Sequence, residues 1–186
     1  MRFKRLLFAA IVVGIVLLGA YSAYRSRLRI EAKIWHWSHG NAVIVAEHEV
    51  PVPDGWLVKD SDAREGSALL IDTRVKRSSD PLANVNFILI VSGPHFQVNL
   101  DFWKSQSEQS LKRKGISDVR EEMLQTKDEL VSCVGWHELN PVTSVRGAAT
   151  SMQCMSAGGL FLTLTGNEGG LQEIFSIISQ IRRPAS

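Results

Sequence analysis

The residue pair in this chain best suited to covalent chemistry is Cys133 and His137, four positions apart in a stretch whose composition is typical of a β-strand. Alternate side chains of a strand point to the same face, so the thiol and the imidazole would lie on one side of it. A histidine beside a cysteine can produce a reactive thiolate, the nucleophile of thiol enzymes. This pair makes a small secreted thiol enzyme or hydrolase the alternative function.

Cys154 is the other cysteine of the chain, and it is an alternative partner to His137 for the sulfur of Cys133. If the strands at 130–139 and 149–156 form a hairpin whose loop is centred between Thr143 and Ser144, Cys133 lies opposite Cys154. An even number of cysteines in an exported domain favours a disulfide, although free cysteines are commonly just small buried side chains. The sequence therefore predicts a Cys133–Cys154 disulfide, which would remove the nucleophile of a thiol enzyme.

Three histidines near the start of the folded region, His36, His39 and His48, are the candidate metal ligands. Two histidines spaced as His36 and His39 can share a metal on a helix, but a structural zinc site takes about four ligands. No cysteine is close by in the sequence, and His36 stands between two tryptophans. We interpret this group as a polar patch and expect no metal.

Other catalytic and cofactor motifs are missing from the sequence. There is no G-x-S-x-G motif for a serine nucleophile, and the glycines at 166–170 have neither P-loop nor dinucleotide-binding spacing. The acidic pairs Glu121–Glu122 and Asp128–Glu129 flank a predicted hairpin turn and are interpreted as solvated charges. We therefore predict a protein that is not an enzyme, with no catalytic residue and no cofactor.

The basic residues are concentrated at the N-terminus. Six of the 21 basic side chains and none of the 19 acidic ones precede Ile30, so the remainder has four more acidic than basic side chains. A mildly acidic domain is not a nucleic-acid surface, because nucleic-acid binding needs a basic face. We expect no nucleic-acid partner.

Residues 6–24 form an uncharged apolar stretch directly after a basic tip at residues 1–5. About 20 apolar residues cross a bilayer, so this stretch predicts a transmembrane signal-anchor. The expected location is the bacterial inner (cytoplasmic) membrane, single-pass, with a cytoplasmic tip and the folded domain in the periplasm. A cleaved signal peptide and an inverted topology stay open as alternatives. The residues expected to contact the lipid bilayer are Leu6, Leu7, Ile11, Val12, Val13, Ile15, Val16, Leu17 and Leu18.

Residues 25–40 are interpreted as a juxtamembrane connector. Trp35 and Trp37 fit the level of the lipid headgroups, where indole rings are favoured. They fit equally well as the first residues that pack on the core of the domain.

Residues 41–183 are predicted to form a single α+β domain, in which an antiparallel sheet is covered by two helices. Asn99 and Gly115 are typical of the two ends of the first helix, whose apolar face is thin. The predicted strands are 41–49, 56–58, 68–75, 86–91, 119–125, 130–139, 149–156 and 160–165.

The last helix has the clearest pattern in the chain. Asn167 is its predicted cap and Pro184 its end. Substituting Phe175 by Asp is expected to unfold the domain. Apolar residues recur at helical spacing at Leu171, Ile174, Phe175, Ile178 and Ile181.

This order of elements resembles the PsbP-like fold and its bacterial DcrB-type relatives. The resemblance rests on the VPVPDGW turn at Val50 to Trp56, the mid-chain helix that ends at Lys114–Gly115, and the closing strand, turn and helix from Leu160 to Ile181. It covers nearly all of residues 41–183. Members of that group are largely non-enzymatic accessory subunits and binders of small proteins, so the resemblance implies a binding module.

Together these observations predict a membrane-anchored, extracytoplasmic, non-catalytic protein-binding module of the accessory or toxin-immunity type. Its partners would be the lipid bilayer, through residues 6–24, and another protein, through the folded domain. A structural subunit of a membrane complex is a third reading, in which residues 6–24 themselves make the contacts.

Overall fold

The computed structural model describes residues 26–62, 66–74, 86–92, 99–139 and 146–184. The predicted basic tip at 1–5 and the predicted membrane segment at 6–24 lie outside the described residues. Within the described part of the chain, no helix is both long enough and apolar enough to span a bilayer.

The described residues form three helices and nine strands. The helices are α1 (Arg27–His39), α2 (Leu100–Arg113) and α3 (Glu168–Ile178). The strands are β1 (Ala42–Val45), β2 (His48–Pro51), β3 (Trp56–Asp62), β4 (Ser67–Asp72), β5 (Phe87–Ser92), β6 (Arg120–Gln125), β7 (Leu130–Leu139), β8 (Arg146–Ser156) and β9 (Leu160–Gly166).

Seven of the strands form one antiparallel sheet in the order β3-β4-β5-β9-β8-β7-β6, and β1 and β2 form a separate hairpin. Neighbours in the sheet are mostly consecutive in the chain, except that β9 lies between β5 and β8. The predicted α+β class with an antiparallel sheet is confirmed. The prediction of two covering helices is corrected to three, because α1 also packs on the domain.

The main core lies on one face of the seven-stranded sheet. Alternate side chains there, such as Ile88 and Ile90 on β5 and Leu162 and Leu164 on β9, are fully buried, as the two-residue period of a strand requires. Helix α3, the β1–β2 hairpin and Trp35 cover this face. The isoleucines buried by α3 are Ile174, Ile177 and Ile178, and Ile181, three residues beyond its end, is buried as well.

Helix α2 covers part of the opposite face. Leu111 packs there with Val134 and Trp136 of β7, while Trp103 is half-buried at the edge of this smaller cluster. The predicted cap is confirmed, since the Asn99 side chain accepts a hydrogen bond from the backbone N–H of Phe102 at 3.0 Å.

Helix α1 occupies the stretch that the sequence predicted as a connector. Ala32 is buried against the domain, Trp35 packs on the main core, and His36 Nε2 lies 3.2 Å from the carbonyl oxygen of Trp56. The core-packing alternative is therefore the right one for Trp35, whereas the Trp37 side chain is 90% exposed.

The predicted strand at 41–49 is wrong, because the chain turns back at Ala46 and Glu47 to pair β1 with β2. Ala46 has φ 48°, which is unusual for a residue other than glycine. No glycine, proline or asparagine marks this turn in the sequence, and the whole stretch consequently has the composition of one strand.

Polar contacts fasten the hairpin and the C-terminal residues to the sheet. Arg182 binds both carboxylate oxygens of Glu49, and this hydrogen bonding holds the pKa of Glu49 below its usual value. His48 Nε2 lies 3.0 Å from Glu129 Oε1, and both side chains are largely buried. Asp128 accepts a hydrogen bond from the backbone N–H of Arg183. Glu129 is therefore structural, which corrects its interpretation as a solvated charge, whereas Asp128 makes this hydrogen bond and is exposed to solvent.

Candidate functional site

The two cysteines are joined as the sequence predicted. Cys133 on β7 lies opposite Cys154 on β8 in the strand register, with a Cα–Cα distance of 4.0 Å, and the two residues form a disulfide. Both are fully buried in the main core. The sulfur of Cys133 is thus bonded and shielded from solvent, so the predicted pairing of a Cys133 thiolate with His137 is not formed.

His137 instead lies in a polar cluster near the far end of β7. Its Nε2 accepts a hydrogen bond from the Arg120 guanidinium at 2.5 Å, and its Nδ1 lies 3.1 Å from Thr150 Oγ1. A guanidinium only donates, so the ring proton is on Nδ1 and points to Thr150. Both ring nitrogens are therefore engaged with neighbouring side chains of the protein.

This cluster forms one wall of a cleft of about 380 Å³ between the sheet and α3. Gly135 lines the cleft, and a Cβ at this position would lie 3.1 Å from the Met152 side chain. The lining residues are Arg120 and Glu122 of β6, Gly135 and His137 of β7, Thr150 and Met152 of β8, and Glu168, Leu171 and Phe175 of α3.

The start of α3 is fixed in place by Asn167 and Asn86. The Asn167 side chain caps the helix by accepting from the backbone N–H of Gly170 at 2.8 Å, as the sequence predicted. The buried Asn86 side chain accepts from the backbone N–H of Asn167 at 3.2 Å and lies tightly against Gly170. These contacts set the position of Leu171 and Phe175 in the floor of the cleft.

The charges around the cleft have mixed signs. The cleft is lined by two carboxylates, Glu122 and Glu168, and by one guanidinium, Arg120, and all three residues are exposed. On the other face of β6, a hydrogen bond from Lys104 lowers the pKa of Glu121 and raises the pKa of Lys104. The rim of the cleft therefore has a slight excess of negative charge over a floor that includes Leu171 and Phe175.

The two edges of the seven-stranded sheet differ. β3 has a register irregularity at Lys59 and is packed against α1. β6 keeps a regular register with β7 over six residues, and among the described residues no strand pairs with its outer side. A regular, uncovered edge strand is a template for another strand, whereas a bulged edge is protected. β6 borders the cleft through Arg120 and Glu122, so edge and cleft form one surface, which we call the β6 surface.

A second groove, of about 450 Å³, lies between α3 and the turn at residues 51–54. One of its walls contains Glu173, which receives two hydrogen bonds of 2.6 Å from Arg74. This ion pair ties the end of β4 to α3, so we assign Glu173 a structural role.

The three histidines considered as metal ligands each have separate partners. His36 lies within hydrogen-bond distance of the carbonyl oxygens of Gly40 and Trp56, His39 stacks on the ring of Trp35, and His48 pairs with Glu129. No group of three or more histidine, cysteine, aspartate or glutamate residues in the described ranges is arranged to hold a metal ion.

The sequence analysis singled out His137 but missed its neighbours. The hairpin register that places Cys133 opposite Cys154 also places His137 opposite Thr150, so Thr150 was within reach of the same argument. Arg120 follows from the β6–β7 hairpin, where it lies opposite Gly135. Glu168 and Phe175 had no such signal, because nothing in a sequence says which strands lie under a helix.

Comparison with models of known protein families gave no match, and comparison with curated proteins gave no match either. Two solved structures resemble this chain, the Mog1 E65A mutant and the Saccharomyces cerevisiae Ran-binding protein Mog1p. They have TM-scores of 0.46 each and identities of 10% and 9%, cover 77% of this chain, and are themselves covered to 96% and 95%. At this level, the likeness supports no conclusion about the function of this chain. None of these three comparisons bears on the PsbP-like and DcrB-type resemblance, which stays a prediction.

Proposed function

We propose that this protein is a membrane-anchored, extracytoplasmic module that binds another protein and has no catalytic activity, of the accessory or toxin-immunity type. Residues 6–24 would hold it in the inner membrane of a bacterium, with the folded domain in the periplasm. The observation that carries the proposal is the β6 surface, in which a cleft lies beside an edge strand of regular register whose outer side pairs with no other described strand.

The disulfide supports the proposed compartment. Disulfides persist in oxidising compartments such as the periplasm and are rare in the cytosol. The Cys133–Cys154 bond is buried in the main core and joins the neighbouring strands β7 and β8. Together with the apolar segment that precedes the domain, it favours an exported protein.

The state of the candidate nucleophile and base supports a non-catalytic role. Cys133 has no thiol to ionise, and the His137 ring is hydrogen-bonded at both nitrogens. A thiol enzyme requires a free thiolate next to an available base. Within the described residues, these two groups meet neither condition.

The expected mode of binding is strand addition. An extended segment of the partner would pair with the outer edge of β6, and alternate side chains of that segment would point toward the cleft. Apolar side chains would contact Leu171 and Phe175, and a basic side chain would be favoured beside Glu122 and Glu168. The domain has no excess of basic residues, so we expect no nucleic-acid partner.

The test is affinity capture of the full chain from native membranes in mild detergent, with bound proteins identified by mass spectrometry. Glu122→Lys reverses a charge on the β6 surface. Lys59→Glu is the matched control, because it reverses an exposed charge on the opposite edge strand, six strand spacings or roughly 29 Å away. We expect one stoichiometric protein with the wild type and with Lys59→Glu, and at least a tenfold lower yield with Glu122→Lys.

Two results would count against the proposal. One is a partner that both variants lose or keep equally, because binding would then not involve the β6 surface. The other is a wild-type chain that captures no protein and whose Cys133 reacts with a thiol reagent without prior reduction, because that would restore the enzyme alternative.

A further inference from the structure

Helix α1 has an apolar stripe that points away from the domain. Ile30, Ile34 and Trp37 are 47%, 58% and 90% exposed, respectively. A single exposed large apolar side chain needs no explanation, but three of them aligned along one face of a helix indicate a contact surface.

The geometry of the helix separates this stripe from the packed side. Residues four and seven positions after Ile30 return to the same face at 3.6 residues per turn, so Ile30, Ile34 and Trp37 are aligned. Ala32 and Trp35, which contact the domain, lie on the opposite face. The stripe is therefore directed outward, away from the core of the domain.

Basic side chains flank the stripe. Arg29 and Lys33 are both exposed and lie one turn apart along one side of it. Arg27 lies on the other side and pairs with Glu31 at 2.7 Å. An outward apolar stripe with basic side chains beside it is the pattern of a helix lying in a membrane interface, where tryptophan is also favoured.

The sequence upstream leads directly into the predicted membrane segment. Only Arg25 and Ser26 separate Tyr24 from Arg27, the first residue of α1, and the three residue steps between them reach at most about 11 Å. If residues 6–24 are inserted, the start of α1 is held within that reach of the hydrocarbon boundary. A phospholipid surface is thus the partner that the chain itself brings to this stripe.

We propose that α1 lies flat on the outer surface of the bilayer, with Ile30, Ile34 and Trp37 among the headgroups and Arg29 and Lys33 against lipid phosphates. This inference rests on the proposed membrane anchor. The domain would then contact the membrane through α1, which packs on the edge strand β3. The β6 surface, at the opposite edge of the sheet, would lie on the side away from α1.

An upright α1 is the alternative arrangement. Ten residues of helix rise about 15 Å, so an upright helix would place Trp37 that far beyond Arg27 and in water. The depth of Trp37 therefore distinguishes a flat helix from a stalk.

The experiment reconstitutes the full chain into vesicles of phosphatidylethanolamine and phosphatidylglycerol, part of the lipid being brominated near the headgroup end of the acyl chain. Bromine quenches nearby tryptophan fluorescence, and the chain has five tryptophans. Trp37→Phe removes the proposed membrane-contacting ring. Trp103→Phe is the matched control, since Trp103 is half-buried on α2, on the other face of the sheet. We expect quenching of wild type and Trp103→Phe, and loss of at least half of that quenching in Trp37→Phe.

A second pair of substitutions checks the stripe itself. Ile30→Ser with Ile34→Ser changes only exposed side chains, so the domain stays folded, and we expect Trp37 to become accessible to aqueous iodide. A chain that floats with vesicles while Trp37 is unquenched and open to iodide would overturn the inference and leave the anchor standing. This is also the result expected if the stripe binds another protein, because the vesicles contain no other protein. A chain that does not float at all would overturn the anchor and the inference together.

Discussion

Gly170 in the first turn of α3 is the position where one methyl group should matter most. A Cβ at this residue would lie 2.3 Å from the side chain of Asn86, which is itself buried and bonded to the helix start. We expect Gly170→Ala to lower the free energy of unfolding by about 1–3 kcal/mol, the usual cost of overpacking. Urea unfolding followed by circular dichroism measures this.

The neighbouring glycine provides the control. A Cβ at Gly169 would meet nothing closer than 3.9 Å, and the residue is exposed. Gly169→Ala should be neutral or stabilising by up to about 1 kcal/mol, because alanine has the higher helix propensity. Equal effects of the two substitutions would contradict the tight packing of Asn86.

At this scale, sequence reasoning succeeded where a residue acts on its immediate neighbours. Asn99 and Asn167 were predictable caps because a capping side chain bonds to backbone only three residues away. Asn86 and Glu129 were not, since their partners lie 81 residues away in the chain. Contacts of that kind depend on the arrangement of the strands, which no local pattern contains.

Helix α3 presents two kinds of apolar residue that the sequence could not tell apart. Ile174 is fully buried, whereas Phe175 is only partly buried and lines the cleft. We expect Ile174→Asp to prevent folding, because it buries a charge without a partner. Phe175→Asp should leave a folded domain with lower stability, since water in the cleft can solvate the carboxylate. This expectation replaces the sequence prediction that Phe175→Asp unfolds the domain.

Circular dichroism and partner capture together test this pair. The Phe175→Asp protein should show cooperative unfolding and a reduced yield of partner, because the substitution changes the floor of the cleft. If it is unfolded like Ile174→Asp, then Phe175 belongs to the core and the boundary of the cleft is misplaced.

Helix α1 shows why one element was misread. Its apolar residues fall on two faces, with Ala32 and Trp35 toward the domain and Ile30, Ile34 and Trp37 outward. A helix that is apolar on opposite faces lacks the single stripe by which amphipathic helices are recognised. Its Arg- and Lys-rich start next to residues 6–24 resembled a membrane flank, and the helix was predicted as a connector.

For the whole molecule, the disulfide is the feature with the largest expected effect on stability. It closes a loop with a sequence separation of 21 residues. Loss of such a bond costs about 3 kcal/mol in the chain-entropy account. We expect reduction by dithiothreitol to lower the stability of the wild-type chain by roughly this amount.

The variant with Cys133→Ala and Cys154→Ala is the control for that measurement. It should have the lower stability from the outset and show no further change with the reductant. A wild-type chain that is equally stable with and without reductant would contradict the disulfide, and with it one support for the periplasmic compartment.

The antiparallel α+β class was predictable from the sequence, but the complete order of strands was not. Hairpin pairs such as β7–β8 follow from short loops and matching apolar positions. The pairing of β5 with β9 joins strands separated by α2 and three other strands, and no turn signal marks it. The β6 surface depends on that order, because β6 becomes an edge only when β9 is placed between β5 and β8.

The measurement that tests the central claim most directly is site-specific photo-crosslinking of the full chain in living cells of the native host. A photoreactive amino acid would replace Met123 on β6, which is 58% exposed, or Lys59 on the opposite edge as the control. The account predicts that the Met123 position forms a single discrete crosslink to another protein in the membrane fraction, while the Lys59 position does not. The absence of a crosslink at Met123, or the same crosslinks at both positions, would contradict a protein-binding module that acts through the β6 surface.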